Sequence, residues 1–275
     1  MSRKRVTQIF PFLLPVREMQ RKMCFYARMQ YDNCHYTEII DNNQLPYVLF
    51  KAGCALYNGN TGFDMVFQEN KVFNLKLAAN TLNGILIRPG DTFSFWRLVR
   101  NGDKHIPYKD GLTVINGKLT TRPGGGMCQM SNLLFWMFLH TPLTVVERSG
   151  HKVKEFPEPN SDEIKGVDAT ISEGWLDLKA RNDTKCTYQI SVTFDDENIV
   201  GMVLVDKRPQ VLYRVVNGST QYCRESGGIY EYAKVERAEI DADTGKVTGQ
   251  KLLYTNKCKI CYPLPENVEI QEAKR

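Results

Sequence analysis

The chain has 275 residues, 42% of them hydrophobic and 24% charged, the ordinary range of a globular protein. That composition excludes a disordered chain, a collagen-like fibre and a coiled-coil rod, and at ~150 residues per domain the length predicts one large domain or two modest ones. Thirty-six Lys and Arg against 31 Asp and Glu give a net charge of +5, too little for a dedicated nucleic-acid binder.

The charge is uneven. Within residues 1–30, Arg3, Lys4, Arg5, Arg17, Arg21, Lys22 and Arg28 stand against Glu18 alone, so this arm carries +6 and the remaining residues −1. Such an arm favours anionic partners: phospholipid head groups, phosphorylated ligands or nucleic acid. The apolar run Ile9–Val16 contains Pro11 and Pro15 and is followed at once by Arg17-Glu18, which makes a poor signal peptide. Phe10, Phe12, Leu13, Leu14, Phe25 and Tyr26 interleave with the cations, a pattern suited to an interfacial helix. The expected location is the cytoplasm, with this arm as the candidate attachment to the inner face of the membrane.

Residues 1–70 form this basic arm and a mixed segment. Beyond them Val72, Leu75, Ala79 and Leu82 share one helical face, predicting a helix over 72–83 with Gly84 as its stop. Ile85-Leu86-Ile87 reads as a strand and Arg88-Pro89-Gly90-Asp91 as a turn. Phe93 and Phe95 alternate as in a half-buried strand. Asn116-Gly117 centres a hairpin over 112–120. After Pro123, the residues Met127, Met130, Leu133, Leu134, Met137 and Phe138 recur at helical spacing up to Pro142. The charge-free stretch 123–146 falls short of a bilayer span and reads as a buried core helix.

Leu143–Arg148 then predicts a strand, with His151–Phe156 as its partner across Ser149-Gly150. Hairpins are predicted about Glu173-Gly174, joining 167–172 to 175–180, and about 195–198, joining 186–194 to 199–205. Arg208-Pro209 marks a boundary. Past it the pattern is mostly strand, with Val211–Val216 ending at an Asn217-Gly218 turn and Ala238–Asp241 before Asp243-Thr244-Gly245. The fold class is α+β: a mixed or antiparallel sheet packed on a few helices, within 71–208, with a β-rich C-terminal extension over 209–275 and a solvated tail after Pro265.

Eight cysteines at irregular spacing in a chain of this length predict reduced thiols. Cys258-Lys259-Ile260-Cys261 has metal-ligand spacing, with Cys223 as a further donor, but zinc wants four ligands and no second pair stands nearby. No βαβ pattern surrounds it, which argues against a thioredoxin-type site. Nothing in the sequence calls for a resident cofactor.

The informative stretch is Gly124-Gly125-Gly126-Met127-Cys128-Gln129-Met130-Ser131. It puts a cysteine in the first turn of a helix, where unpartnered amides and the helix dipole lower a thiol pKa. Glycines there let amides approach a substrate oxygen. Gly124, Gly125, Gly126, Gln129 and Ser131 are thus the candidate oxyanion or ligand-binding residues. A nucleophilic cysteine needs a base, and the base an orienting group. His140 lies about three turns along the same helix, out of reach. His151 starts a strand beyond it and Asp168 starts the next, giving the candidate set Cys128, His151 and Asp168. The order matches papain-like and transglutaminase-like cores, an analogy of arrangement only. The same glycine-rich helix start also suits a non-catalytic site for carboxylate or phosphate. In a purely structural reading, Cys128 is a small buried hydrophobe and the glycines serve close packing.

Residues ~74–206 resemble the VanW domain. The resemblance is carried by residues 83–95 (NGILIRPGDTFSF), residues 124–131 (GGGMCQMS), Val146-Glu147-Arg148 with His151, and Asp168-Ala169-Thr170. In many members the arginine is followed by His-x-His-Ser; here the residues are Ser149-Gly150-His151-Lys152. Keeping only the second histidine makes His151 the candidate base. The resemblance implies an accessory role in glycopeptide resistance in Gram-positive bacteria, with a cell-wall precursor or peptidoglycan-related ligand as partner. On that footing the chain is either a cysteine-dependent acyl-transfer enzyme or hydrolase, a binding module for a carboxylate- or phosphate-bearing cell-wall ligand, or a membrane-surface adaptor acting through residues 1–30.

Overall fold

A computed structural model describes residues 10–58, 62–115, 118–154 and 164–272. It opens with a 3-10 turn (Pro11–Leu13) and helix α1 (Leu14–Tyr31). Short β1 (His35–Tyr36) and long β2 (Tyr47–Ala55) precede α2 (Val66–Leu82), β3 (Leu86–Ile87), β4 (Asp91–Ser94) and the short α3 (Phe95–Val99). The hairpin β5 (Asp110–Ile115) and β6 (Lys118–Pro123) leads into α4 (Met127–Leu139). Then come β7 (Thr144–Glu147), β8 (Val153–Lys154), β9 (Lys179–Arg181), β10 (Tyr188–Phe194) and β11 (Asn198–Val205). Three long strands follow, β12 (Val211–Glu225), β13 (Gly228–Asp241) and β14 (Val247–Ile260), and β15 (Ile270–Glu272) ends the described chain. The molecule is α+β, as its patterning predicts.

Helix α4 is the centre. It carries apolar side chains on nearly every face, and a helix of that kind has to be enclosed. Met130, Leu134, Phe135, Met137 and Phe138 are fully buried. Sheet β2-β11-β10-β3 covers it on one side, helix α2 lies beside it, and β7 and β12 reach it elsewhere. A second four-stranded sheet runs β1-β4-β9-β7, and a five-stranded sheet runs β15-β12-β13-β14-β8. Among the described residues no helix is long and apolar enough to cross a membrane.

Helix α1 docks through one side. Met29 is buried, Tyr26 donates to Glu173 at 2.8 Å, Lys22 pairs with the same Glu173, and Arg21 lies over the Trp175 ring. Phe12, Val16, Met19 and Met23, spaced four, three and four apart, form an exposed stripe on another face.

Several local expectations change in three dimensions. Helix α2 begins six residues before the predicted start, and its end at Asn83-Gly84 is as predicted, Gly84 taking φ +82°. Phe95 does not continue the strand: Ser94 accepts a hydrogen bond from the Arg97 amide and starts α3. Strands β5 and β6 pair with Ile115 opposite Lys118; Asn116-Gly117, the predicted turn between them, lies outside the described residues. Strand β8 does not pair with β7 but adds in parallel to β14. Asn217-Gly218 is no turn, because β12 runs through it with an irregularity at this point, where the Asn217 side chain bonds both the amide and the carbonyl of Lys165. The 167–180 hairpin reduces to a single bridge between Ser172 and Leu176, since the backbone of 169–170 is engaged elsewhere.

Candidate functional site

The glycine run is a tight turn, and each glycine has its own reason to be one. Gly124 and Gly126 have φ +75° and +95°, where a side chain is strained. Gly125 lies against Gly111 of β5 so closely that a Cβ would stand 2.8 Å from the Gly111 Cα and nearer still to its carbonyl. Buried Asn74 of α2 fixes this turn, donating to the carbonyls of Gly125 (3.1 Å) and Lys109 (2.9 Å) and accepting from the Lys109 amide (2.8 Å). Gly126 is the N-cap of α4, so Cys128 sits in its first turn as predicted.

The next residues are stitched to the extended segment 168–171. Ser131 Oγ donates to the Ala169 carbonyl at 2.6 Å, and Asn132 Oδ1 accepts from the Ala169 amide at 2.7 Å. The Thr170 amide bonds the Ser149 carbonyl on the other edge at 2.7 Å. Segment 168–171 therefore lies between the cysteine helix and the 148–151 turn.

On that segment Asp168 and His151 meet. Asp168 Oδ2 accepts from His151 Nδ1 at 2.5 Å and from the His151 amide at 2.6 Å. The His151 pKa is raised, first by this hydrogen bond. Burial pushes the Asp168 carboxyl upward, but the hydrogen bonds from His151 and the Arg148 charge outweigh it and leave the pKa lowered. The ring is about half exposed, and its Nε2 stands 3.3 Å from Thr170 Oγ1.

Arg148 is the residue that sequence reasoning left without a role. Its guanidinium bonds Asp168 Oδ1 (2.7 Å), the Asp168 carbonyl (2.6 Å), the Gly166 carbonyl (2.9 Å) and Asn256 Oδ1 (3.0 Å). It lies over the rings of Phe135 and Tyr254. One nearly buried cation thus ties α4, the Asp168 segment and β14 together. The signal for it was its place in the Val146-Glu147-Arg148 stretch.

Cys128 lines a cavity of about 830 Å³, together with Cys54, Lys71, Gln129, Asn132 and Trp136. Its thiol pKa is raised, because burial outweighs a hydrogen bond from the Ile171 backbone, and the Asp168 charge adds to the rise. The expectation is a lowered pKa; burial and the Asp168 charge push the thiol the other way. No hydrogen bond joins Cys128 to His151 among the described residues. The alkylation rate of Cys128 is accordingly expected to climb with pH about a midpoint above the ordinary thiol value of 9.0. Iodoacetamide labelling mapped by mass spectrometry measures it, and a midpoint below that value refutes the burial argument.

The other candidate ligand groups are largely occupied. The Gln129 amide bonds the Gly126 carbonyl at 3.0 Å, and its side chain donates to the Ala55 carbonyl at 2.7 Å and to Cys54 Sγ at 3.4 Å. Ser131 serves the 169 segment. The amides of Met127 and Cys128 have no partner within the helix. His140 caps α4, with Nδ1 on the Trp136 carbonyl, Nε2 accepting from the Val215 amide, and its ring stacked on Phe50 at 3.9 Å. Burial lowers its pKa, so it is a neutral structural residue. Cys258 is buried and Cys261 exposed, as a strand sends residues three apart to opposite faces. No group of three His, Cys, Asp or Glu suited to a metal occurs among the described residues.

Comparison with known proteins adds the family. A family model described as VanW like protein matches residues 70–204. The chain is 73% identical over 275 residues, the whole of both proteins, to the vancomycin B-type resistance protein VanW of Enterococcus faecalis (strain ATCC 700802 / V583). It is 30% identical over 115 residues to the uncharacterized protein YoaR of Bacillus subtilis (strain 168), covering 42% of this chain and 36% of that one. No solved structure matches it. With a full-length relative at this identity, and with the glycine–cysteine helix and the Arg148–Asp168–His151 cluster inside the matched segment, the chain belongs to the VanW family.

Proposed function

We propose that this chain contributes to vancomycin resistance as a cysteine-dependent acyl-transfer enzyme or hydrolase acting on an amide or ester of a peptidoglycan precursor. The observation that carries the reading is the 2.5 Å His151–Asp168 pair, braced by Arg148 on a segment bonded to the helix that presents Cys128. His151 and the helix that carries Cys128 both bond the short segment that carries Asp168, and a triad is recognised by such roles and not by chain order.

In this scheme the resting sulfur is a thiol. His151 exchanges its Thr170 contact for the sulfur and takes its proton as Sγ bonds to the substrate carbonyl carbon. The carbonyl electron pair moves to oxygen, where the amides of Met127 and Cys128 receive it. Collapse expels the amine or alcohol, which carries away the proton from His151. Water or an acceptor amine then attacks the thioester carbonyl, its proton passing through His151 to the departing sulfur, which returns as the thiol. Asp168 keeps Nδ1 protonated, so that Nε2 is the basic nitrogen.

Conversion of isolated muropeptide precursors by the purified chain, followed by mass spectrometry, is expected to vanish in Cys128→Ala and to fall by about 10²-fold or more in His151→Ala. Conversion that survives Cys128→Ala ends the catalytic reading. The raised thiol pKa and the engaged Nε2 favour a second reading, a binding module for an anionic cell-wall ligand. In that case no conversion occurs, and Cys128→Ser leaves ligand binding intact.

A further inference from the structure

Among the described residues, the cavity beside Cys128 has one charged residue in its lining, Lys71 of α2. Around it stand the carboxamides of Asn58, Gln68, Gln129 and Asn132, and beyond them apolar side chains that include Trp136 and Leu133. The Lys71 stem runs across Gly126: a Cβ there would collide with its methylenes. The missing side chain at the N-cap of α4 is thus what lets the lysine lie over the helix start that carries the cysteine.

The ammonium has no carboxylate partner among the described residues, whereas Lys22, Lys179 and Lys257 each meet one. Burial lowers its pKa, the mark of a cation short of compensation. Cys54 opposes this shift only in part, so a half-buried cation with no carboxylate partner among the described residues suits an anion that enters the cavity.

We propose that Lys71 anchors a single carboxylate of the ligand, so that the cavity takes a short acyl or peptide chain ending in a free carboxylate and presents its carbonyl to Cys128. One cation balances one negative charge; a phosphate monoester brings nearly two and finds no second cation among the described residues of the lining. The apolar wall suits small side chains. This assignment rests on the reading above only in placing the ligand against the sulfur.

Iodoacetate and iodoacetamide attack a thiol by the same displacement and differ in one carboxylate. Their rates at Cys128 are to be compared in the full-length chain carrying Cys54→Ser, with exposed Cys24 as internal reference. The iodoacetate-to-iodoacetamide ratio at Cys128 is expected to exceed that at Cys24 by about tenfold, or about 1.4 kcal/mol. Lys71→Met, which keeps the stem over Gly126, should bring the ratio down to the Cys24 value, and Lys71→Arg should retain most of it. An unchanged ratio in Lys71→Met overturns the anchor, as does a native chain in which Cys128 resists both reagents. Conversion that survives Cys128→Ala removes the catalytic reading and leaves this selectivity standing, so the two failures are separable.

Discussion

Gly125→Ala is expected to cost the folded state about 3 kcal/mol, near the upper end for overpacking, and to lower Tm by roughly 10 °C in a chain of this size. The new Cβ meets the backbone of Gly111, 2.8 Å from its Cα and closer to its carbonyl group. Backbone cannot swing aside as a long side chain does. Relief requires the β5–β6 hairpin to move off the turn, and that breaks the three hydrogen bonds of buried Asn74. Gly126→Ala is the control. Its φ of +95° costs about 1–2 kcal/mol, but its steric neighbour is the flexible stem of Lys71. Thermal melts should therefore rank Gly125→Ala as the more damaging, while Gly126→Ala should disturb the Cys128 cavity more. A Gly125→Ala chain that melts within about 2 °C of wild type means that the two backbones are not so close.

The same contrast explains how much of the site the sequence could reveal. Helix α4 was legible because its apolar residues recur at helical spacing and glycines mark its start, both local properties. The β10–β11 hairpin was legible for the same reason: its strands pair across a short connection, Tyr188 opposite Val205 through Phe194 opposite Ile199. The meeting of His151 and Asp168 followed from chain order and from the family resemblance. The pairing of strand β8 is not legible locally, because its partner, β14, lies about a hundred residues away and leaves no mark on the local pattern. Asn217-Gly218 gave a turn signal that tertiary structure overrides, its side chain being occupied by the Lys165 backbone. A lone cation in a strand end or a helix, such as Arg148 or Lys71, reads from sequence as a solvated charge. Only the fold shows that one lies over two adjoining rings and the other lines a cavity.

Asp168→Ala is expected to destabilise the chain by about 3 kcal/mol near pH 5.5, the scale for removing one partner of a desolvated ion pair. The carboxylate accepts from Arg148 and twice from His151. Without it the Arg148 guanidinium, nearly buried over Phe135 and Tyr254, keeps only carbonyl and amide oxygens. The pH dependence separates the two partners. Asp168 has a lowered pKa, so its contribution is present above the usual carboxylate value of 3.8 and is lost as pH falls through the lowered folded value. His151 has a raised pKa, so its contribution is complete below 6.5 and is lost as pH rises through the raised folded value. The difference between wild type and Asp168→Ala, measured by denaturant unfolding from pH 3 to 9, should be largest between those limits. Toward alkaline pH it should settle on a plateau set by Arg148, whose charge does not titrate in this range. His151→Ala should abolish the alkaline decline while leaving the plateau. A difference that stays flat from pH 5 to 9 in the presence of His151 would mean that the imidazole is not charge-coupled to Asp168. The proton transfer proposed for Cys128 would then lack its orienting acid.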